Sequence, residues 1–314
     1  MLRVVIPDDY PPVISGTRHL EHLRDLGEVA VYNTKHADDS ELIERIRDAD
    51  VVVNIRAYCK LTREVLRNAK KLKMISVWGV GTDHIDLKTC QELGVGVTNT
   101  PGTATESVAE HALALMLAAA RRIPQIDRSV KEGRWVRGLV TQLHGKTLGV
   151  VGTGLIGSQV ARLGNGIGMN VVAWTFHPSA ERENELRVRY VPLDELLRRS
   201  DVVSLHLRLT EDTRALMGER ELALMKPTAI LINTARADLI DKEALIRALS
   251  GGAIAAAGLD VFHSEPPDQD DPLLKLDNVV LTPHSSGQTP EVLDRGLAMA
   301  VENVKRFIEH YQPK

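Results

Sequence analysis

Arg236 in LINTARADLID, Glu265 in GLDVFHSEPP and His284 in LTPHSSG each stand just past a short apolar run of this 314-residue chain. Their types suit one kind of reaction. An arginine fork can hold a carboxylate bidentately, and a histidine can give a proton to a carbonyl oxygen near neutral pH. A glutamate on the other imidazole nitrogen would fix the ring tautomer and favour the protonated ring. Alone, each residue has a plainer reading: a surface ion pair, a solvated turn, a cap. Together, at strand ends where open α/β sheets bind ligands, they point to redox chemistry on a small anionic carbonyl compound.

Such chemistry needs a hydride carrier, and VVGTGLIG, residues 150–157, offers a place for one. Gly152, Gly154 and Gly157 form G-x-G-x-x-G between the apolar TLGVV and the helical SQVARLG. The first glycine permits the tight turn, the second lets a pyrophosphate approach the backbone, and the third lets helix and strand close up. The helix amino terminus, at Leu155 and Ile156, brings N–H groups and positive dipole to phosphate. One helix later, VVAWTFHPS lacks the acidic residue that would grip an adenosine ribose, and without a gap Thr175 occupies its place. Thr175 can bond a ribose but carries no charge against a 2′-phosphate. His177, Ser179, Arg182 and Arg208 are candidate phosphate donors, with a solvated helix as the other reading for Arg182. The expected cofactor is NAD(P)(H), with NADPH slightly favoured over NADH. His206, Thr234 and Asp260, also at strand ends, complete the expected cofactor contacts, though His206 also reads as a strand cap.

Positioning these residues falls to two α/β units. The first third of the chain alternates RVVIP, VAVY, DVVVNI, LKMISVWG and GVGVTN with amphipathic stretches such as SELIERIRDA and TREVLRNAKKL. The middle repeats the pattern with KTLGVVG, NVVAWT, VRYVP, DVVSLHL, AILINT, AAAGLDVF and NVVLTP. That alternation predicts βα units around parallel sheets. Between them, TATESVAEHALALMLAAARR opens with Thr103 and Glu106 at capping-box spacing and is apolar on nearly every face. It predicts a helix buried all round, between domains or in a subunit interface. PEVLDRGLAMAVENVKRFIEHY reads as an amphipathic helix returning to the first unit.

A net charge of −3, mixed in sign and without blocks, argues against nucleic-acid and membrane-surface partners. Cys59 and Cys90 form no CxxC pair and MLRVVIPDDYPP is no signal peptide, which together predict a soluble protein of the reducing cytoplasm. The longest apolar run, residues 112–120, is too short to span a bilayer. His19 and His22 lie one helical turn apart without a third ligand nearby, so a solvated amphipathic helix is expected there and no metal. Trp135 in EGRWVRG reads as a packing anchor.

Taken together, WGVGTDHID, SVAEHALALML, VVGTGLIG, DVVSLHL, MKPTAILINTARADLID, LDVFHSEP and LTPH cover essentially the whole chain. In these motifs the sequence resembles the D-isomer-specific 2-hydroxyacid dehydrogenases, glyoxylate/hydroxypyruvate reductases among them. The resemblance implies two doubly wound parallel-sheet α/β domains. One is a Rossmann nucleotide-binding domain, expected over 100–287. The other is a discontinuous flavodoxin-like substrate domain, expected over 1–99, completed by 288–314 and hinged against the first. It also implies a homodimer built on the nucleotide domains. Arg236, Glu265 and His284 fall on the family's catalytic positions, and the backbone near Val80 and Gly81 falls on the loop that holds the substrate carboxylate. The substrate implied is a small 2-oxo or 2-hydroxy acid such as glyoxylate or hydroxypyruvate.

Departures bear on that substrate. Trp78 stands where many relatives carry a small residue, which places it among the expected substrate contacts. Val77 stands where phosphoglycerate-type members carry arginine, whereas Arg56 matches a basic position those enzymes use. Ala237 replaces a glycine after Arg236, and Arg208 replaces a proline. The alternatives are a phosphoglycerate- or erythronate-phosphate-type dehydrogenase and, from another class, a dinucleotide-sensing scaffold similar to the family's corepressors.

Overall fold

The computed structural model describes residues 2–310; Met1, Tyr311 at the end of the expected last helix, and residues 312–314 lie outside them. The chain divides into two compact units. One runs to Ala104 and resumes at Thr289, and the other is Thr105–Gln288.

In the first unit β1 (Arg3–Ile6), β2 (Glu28–Val31), β3 (Val51–Asn54), β4 (Met74–Val77) and β5 (Gly96–Thr98) form a parallel sheet in the order β2-β1-β3-β4-β5. This is the flavodoxin-like winding. Period-two alternation sends side chains to two faces. Val5, Val52 and Ile75 pack with Leu42, Ile46, Val65 and Leu66 on one. Val4, Ile6, Val51, Val53 and Met74 pack on the other with Leu20, Leu23, Leu297, Ala300 and Val304. The helix Pro290–His310 therefore covers the sheet that opens the chain, as its amphipathic pattern predicts. Trp78 lies against it, for a Cβ at Gly296 would overlap the indole.

Two clusters of this unit depart from or refine the sequence reading. In the helix Arg18–Leu26, His22 is exposed as expected, but His19 is only 4% exposed, with Nε2 2.8 Å from an Asp294 carboxylate that also takes Arg18. Its place one turn before the buried Leu23 turns it inward. At the carboxyl ends of β1, β2 and β3, buried Asp8 meets His36 and Cys59. Asp8 accepts from His36 Nδ1 at 2.6 Å and from Arg45 Nη1 at 3.0 Å, so arginine supplies the positive charge that a buried carboxylate requires. Burial, aided by Asp8, pushes the Cys59 thiol well up and keeps it protonated.

The second unit holds β6 (Thr147–Val151), β7 (Asn170–Trp174), β8 (Arg189–Tyr190), β9 (Val202–Leu205), β10 (Ile230–Asn233), β11 (Ala256–Leu259) and β12 (Val279–Leu281). They pair in parallel in the order β12-β11-β10-β9-β6-β7-β8, a Rossmann sheet extended by one strand. Each of the twelve apolar runs of the sequence coincides with one strand, β2 beginning one residue before its run.

The helix Thr105–Arg121 is not enclosed on all sides within this one chain. Ala109, Ala112, Leu115, Met116, Ala119 and Ala120 enter this unit's core, whereas Ala114 and Leu117 are exposed. The helix approaches β11 closely, since a Cβ on Gly258 would press on Leu115. Thr103 does not cap it either, because its hydroxyl donates to the Thr100 carbonyl at 3.0 Å. Trp135 is not packed within the single chain. It is 76% exposed in a segment between Lys131 and Thr147 that forms neither helix nor strand. No helix among the described residues is long and apolar enough to cross a membrane.

Candidate active site

β6 ends at Val151 and the chain turns at Gly152 with φ +94°, a left-handed value that favours glycine. A side chain there would strike the His206 carbonyl, and one at Gly157 would strike the carbonyl of Gly152. Gly154 instead faces open space, and its N–H has no acceptor among the described residues. The helix Leu155–Gly166 follows at once, with Leu155 exposed at its tip. The turn is therefore a cradle with room above it and unpaired donors aimed along a helix axis, which suits a pyrophosphate.

At the end of β7, Trp174, Thr175, Pro178, Tyr190, Val191 and Pro192 line a cavity of about 250 Å³. No carboxylate lines it. His177 is exposed beside it, and the Ser179 hydroxyl caps the helix Ala180–Leu186 by accepting from the Arg182 N–H. Arg208 is also exposed. Arg182 is exposed on its helix, as the plainer reading had it, yet its guanidinium reaches back to the turn, with Nη2 2.7 Å from both the Thr153 carbonyl and Ser158 Oγ. Sequence spacing gave no signal of this contact.

His206 ends β9, with Nε2 2.8 Å from Ser204 Oγ, and burial pushes its pKa down to about 3. It stays neutral and packs under the glycine turn. Thr234, past β10, is 7% exposed and its hydroxyl has no partner among the described residues. An orphaned buried hydroxyl at a strand end is a polar group in want of a ligand, and it strengthens the fit to a dinucleotide.

Asn233 shapes the next turn. Its side chain accepts from the Ala235 N–H at 3.0 Å and donates to the Arg236 carbonyl at 2.8 Å, leaving Arg236 partly exposed with Nη1 on the Ala235 carbonyl. Glu265 Oε2 lies 2.8 Å from His284 Nδ1, while Oε1 accepts from the Phe262 N–H at 3.1 Å. Half-burial acts to raise the Glu265 carboxyl, but the hydrogen bond and charge of His284, the Phe262 N–H and the charge of Arg236 outweigh it and hold it low. With Nδ1 engaged, His284 Nε2 has no partner among the described residues, and the side chain is 39% exposed.

Asp260 has a different task from the cofactor contact expected of it. It is fully buried, and its oxygens accept from the Thr282 hydroxyl at 2.6 Å and from the N–H groups of Ser285 at 2.9 Å and Ser286 at 3.0 Å. His111 bonds the same Thr282 hydroxyl at 2.8 Å. Asp260 thus holds the turn that carries His284.

In the first unit, the residues expected to bind substrate follow β3 and β4. The Gly79–Gly81 loop is tied down by Thr100 and Asn99, with the Thr100 hydroxyl accepting from the Gly79 N–H at 2.8 Å and Asn99 Nδ2 donating to the Val80 carbonyl at 2.8 Å. The N–H groups of Val80 and Gly81 donate to nothing among the described residues. Arg56 donates through Nη2 to the Pro11 carbonyl, while its buried Nε has no partner among the described residues. Trp78 packs within the unit.

The model of the family described as D-isomer specific 2-hydroxyacid dehydrogenase, NAD binding domain, matches residues 113–286. A glyoxylate reductase of Korarchaeum cryptofilum is 46% identical over 272 residues, which are 85% of this chain and 82% of that protein. A D-3-phosphoglycerate dehydrogenase of Methanocaldococcus jannaschii is 44% identical over 289 residues, 91% of this chain but only 54% of that longer protein. Among solved structures, D-lactate dehydrogenase from Aquifex aeolicus complexed with NAD and lactic acid superposes with a TM-score of 0.88 at 34% identity, covering 98% of this chain and 95% of that one.

Proposed function

The chain belongs to the D-isomer-specific 2-hydroxyacid dehydrogenase family, and on that premise we propose that it reduces a small 2-oxo acid of the glyoxylate or hydroxypyruvate type. The observation that carries this reading is His284, backed by Glu265 at 2.8 Å through Nδ1 with Nε2 unengaged. A bound nicotinamide dinucleotide supplies the hydride. Arg236 holds the substrate carboxylate and polarises the carbonyl. His284 Nε2–H gives its proton to the carbonyl oxygen as carbon takes the hydride, so that the 2-oxo group becomes a hydroxyl. Glu265 keeps the ring oriented through Nδ1. Within the first unit, the N–H groups of Val80 and Gly81 suit a carboxylate.

NADPH is the slightly favoured cofactor in this reading, because the cavity at the end of β7 has Thr175 and no anion to repel a 2′-phosphate. A second copy of the chain is the proposed partner, covering apolar side chains that include Ile123, Val130, Trp135 and Leu139. A phosphorylated 2-oxo acid is the second reading, favoured by the orphaned Arg56 Nε and by the likeness to phosphoglycerate dehydrogenase.

The test is oxidation of NADH and NADPH with glyoxylate, hydroxypyruvate, pyruvate and 3-phosphohydroxypyruvate, in wild type and in Thr175→Asp. The expected result is highest kcat/KM with an unphosphorylated acid, a slight NADPH preference, and a shift toward NADH in the variant. Higher kcat/KM with the phosphorylated acid selects the second reading, and strong NADH selectivity in wild type removes the role given to Thr175. If no acid turns over while cofactor changes the oligomeric state, the chain is a sensing scaffold.

A further inference from the structure

Thr153, between the first two glycines, is held from three directions. Its carbonyl accepts from Arg182 Nη2 at 2.7 Å and from Ser158 Oγ at 3.0 Å. Its hydroxyl lies 2.9 Å from the Tyr190 hydroxyl. Arg182 belongs to the helix after β7 and Tyr190 to β8, and Tyr190 also lines the cavity at the end of β7. All of these contacts lie within the second unit.

Peptide planarity gives the clamp a consequence. In a trans peptide the C=O of one residue and the N–H of the next point in opposite directions. Fixing the Thr153 carbonyl toward Arg182 therefore fixes the Gly154 N–H toward the opposite side, and that N–H is without an acceptor among the described residues. A guanidinium is well suited to the task, since its charge strengthens the bond to a carbonyl. Without it, that peptide can rotate and turn a carbonyl oxygen, in place of a donor, toward an incoming phosphate.

We propose that Arg182 and Tyr190 are positioning residues that clamp Thr153, holding the glycine turn in its pyrophosphate-binding shape and coupling the adenosine cavity to it. This rests on the dinucleotide reading of the turn. It differs from the role that sequence alone offers Arg182, a direct contact to a 2′-phosphate, which would matter for one cofactor only.

The experiment measures Kd for NADH, NADPH, ADP and adenosine in wild type, Arg182→Met, Arg182→Lys and Tyr190→Phe, using tryptophan fluorescence and saturation-transfer NMR. The clamp predicts that affinity for NADH, NADPH and ADP falls together, about tenfold in Arg182→Met and about threefold in Tyr190→Phe, the usual worth of such bonds. Adenosine, which has no phosphate, should bind Arg182→Met as it binds wild type, and Arg182→Lys should recover part of the loss. In Arg182→Met, loss confined to NADPH, equal loss of adenosine, or no loss at all would each overturn the clamp. Wild type that binds neither NADH nor ADP would instead sink the dinucleotide reading beneath it.

Discussion

His284 has φ +52°, a left-handed backbone that few residues other than glycine adopt. It is held there because Asp260 grips the N–H groups of Ser285 and Ser286 just beyond it, the kind of local strain that surrounding structure sustains at functional sites. Replacing His284 by Gln should lower the reduction rate by roughly a hundredfold to ten-thousandfold, the usual worth of a positioned general acid, with cofactor Kd nearly unchanged. Wild-type-like turnover would remove it from the mechanism. On the acid side of the pH profile the sign follows Glu265. Its lowered pKa means that its stabilising charge is present above the carboxyl's unfolded value and is lost only as pH falls through the lower folded one. The pair with His284 should therefore persist through mildly acid pH, and a kcat profile that falls there would contradict it. Arg236, Glu265 and His284, the residues proposed to act on substrate, were legible as candidates because each follows an apolar run. Arg182 and Asp260 were not, since their partners lie 29 and 25 residues away in sequence and only folding shows which groups meet.

Strands were the most legible elements. In β1, β3 and β4 the alternation of residues between two cores is written directly in the order of apolar side chains. The helix Thr105–Arg121 was less legible, because alanine fits both a core and a solvated face and its apolar run does not mark which side enters the core. A sharper test of packing is the helix Pro290–His310, where Gly296 meets Trp78. Alanine ordinarily stabilises a helix over glycine by about 0.5–1 kcal/mol, but here its Cβ overlaps the indole, and overpacking costs about 1–3 kcal/mol. Gly296→Ala should therefore lower Tm and alter tryptophan emission. Gly166→Ala, at an exposed helix end with open space around it, should leave Tm unchanged or raised. The same sign for both variants would show that the indole has room to move.

For the molecule as a whole, the apolar residues that the core does not absorb are concentrated. Ile123, Ile126, Val130, Val136 and Leu139 are all exposed within one short stretch beside Trp135, as surfaces that bind other proteins often are. Sedimentation velocity should find a dimer, and Leu139→Asp with Trp135→Asp should shift it to a folded monomer of unchanged circular dichroism. A wild-type monomer at micromolar concentration would refute the dimer. The order of the chain has a further effect during synthesis. One face of the first sheet, with Val4, Ile6, Val51, Val53 and Met74, is covered in part by Leu297, Ala300 and Val304. The whole of Thr105–Gln288 lies between. At ordinary ribosomal speeds that is a wait on the order of 10–40 s, so the unit translated first is the last to be completed, and its bare face is the nascent chain's natural landing place for a chaperone.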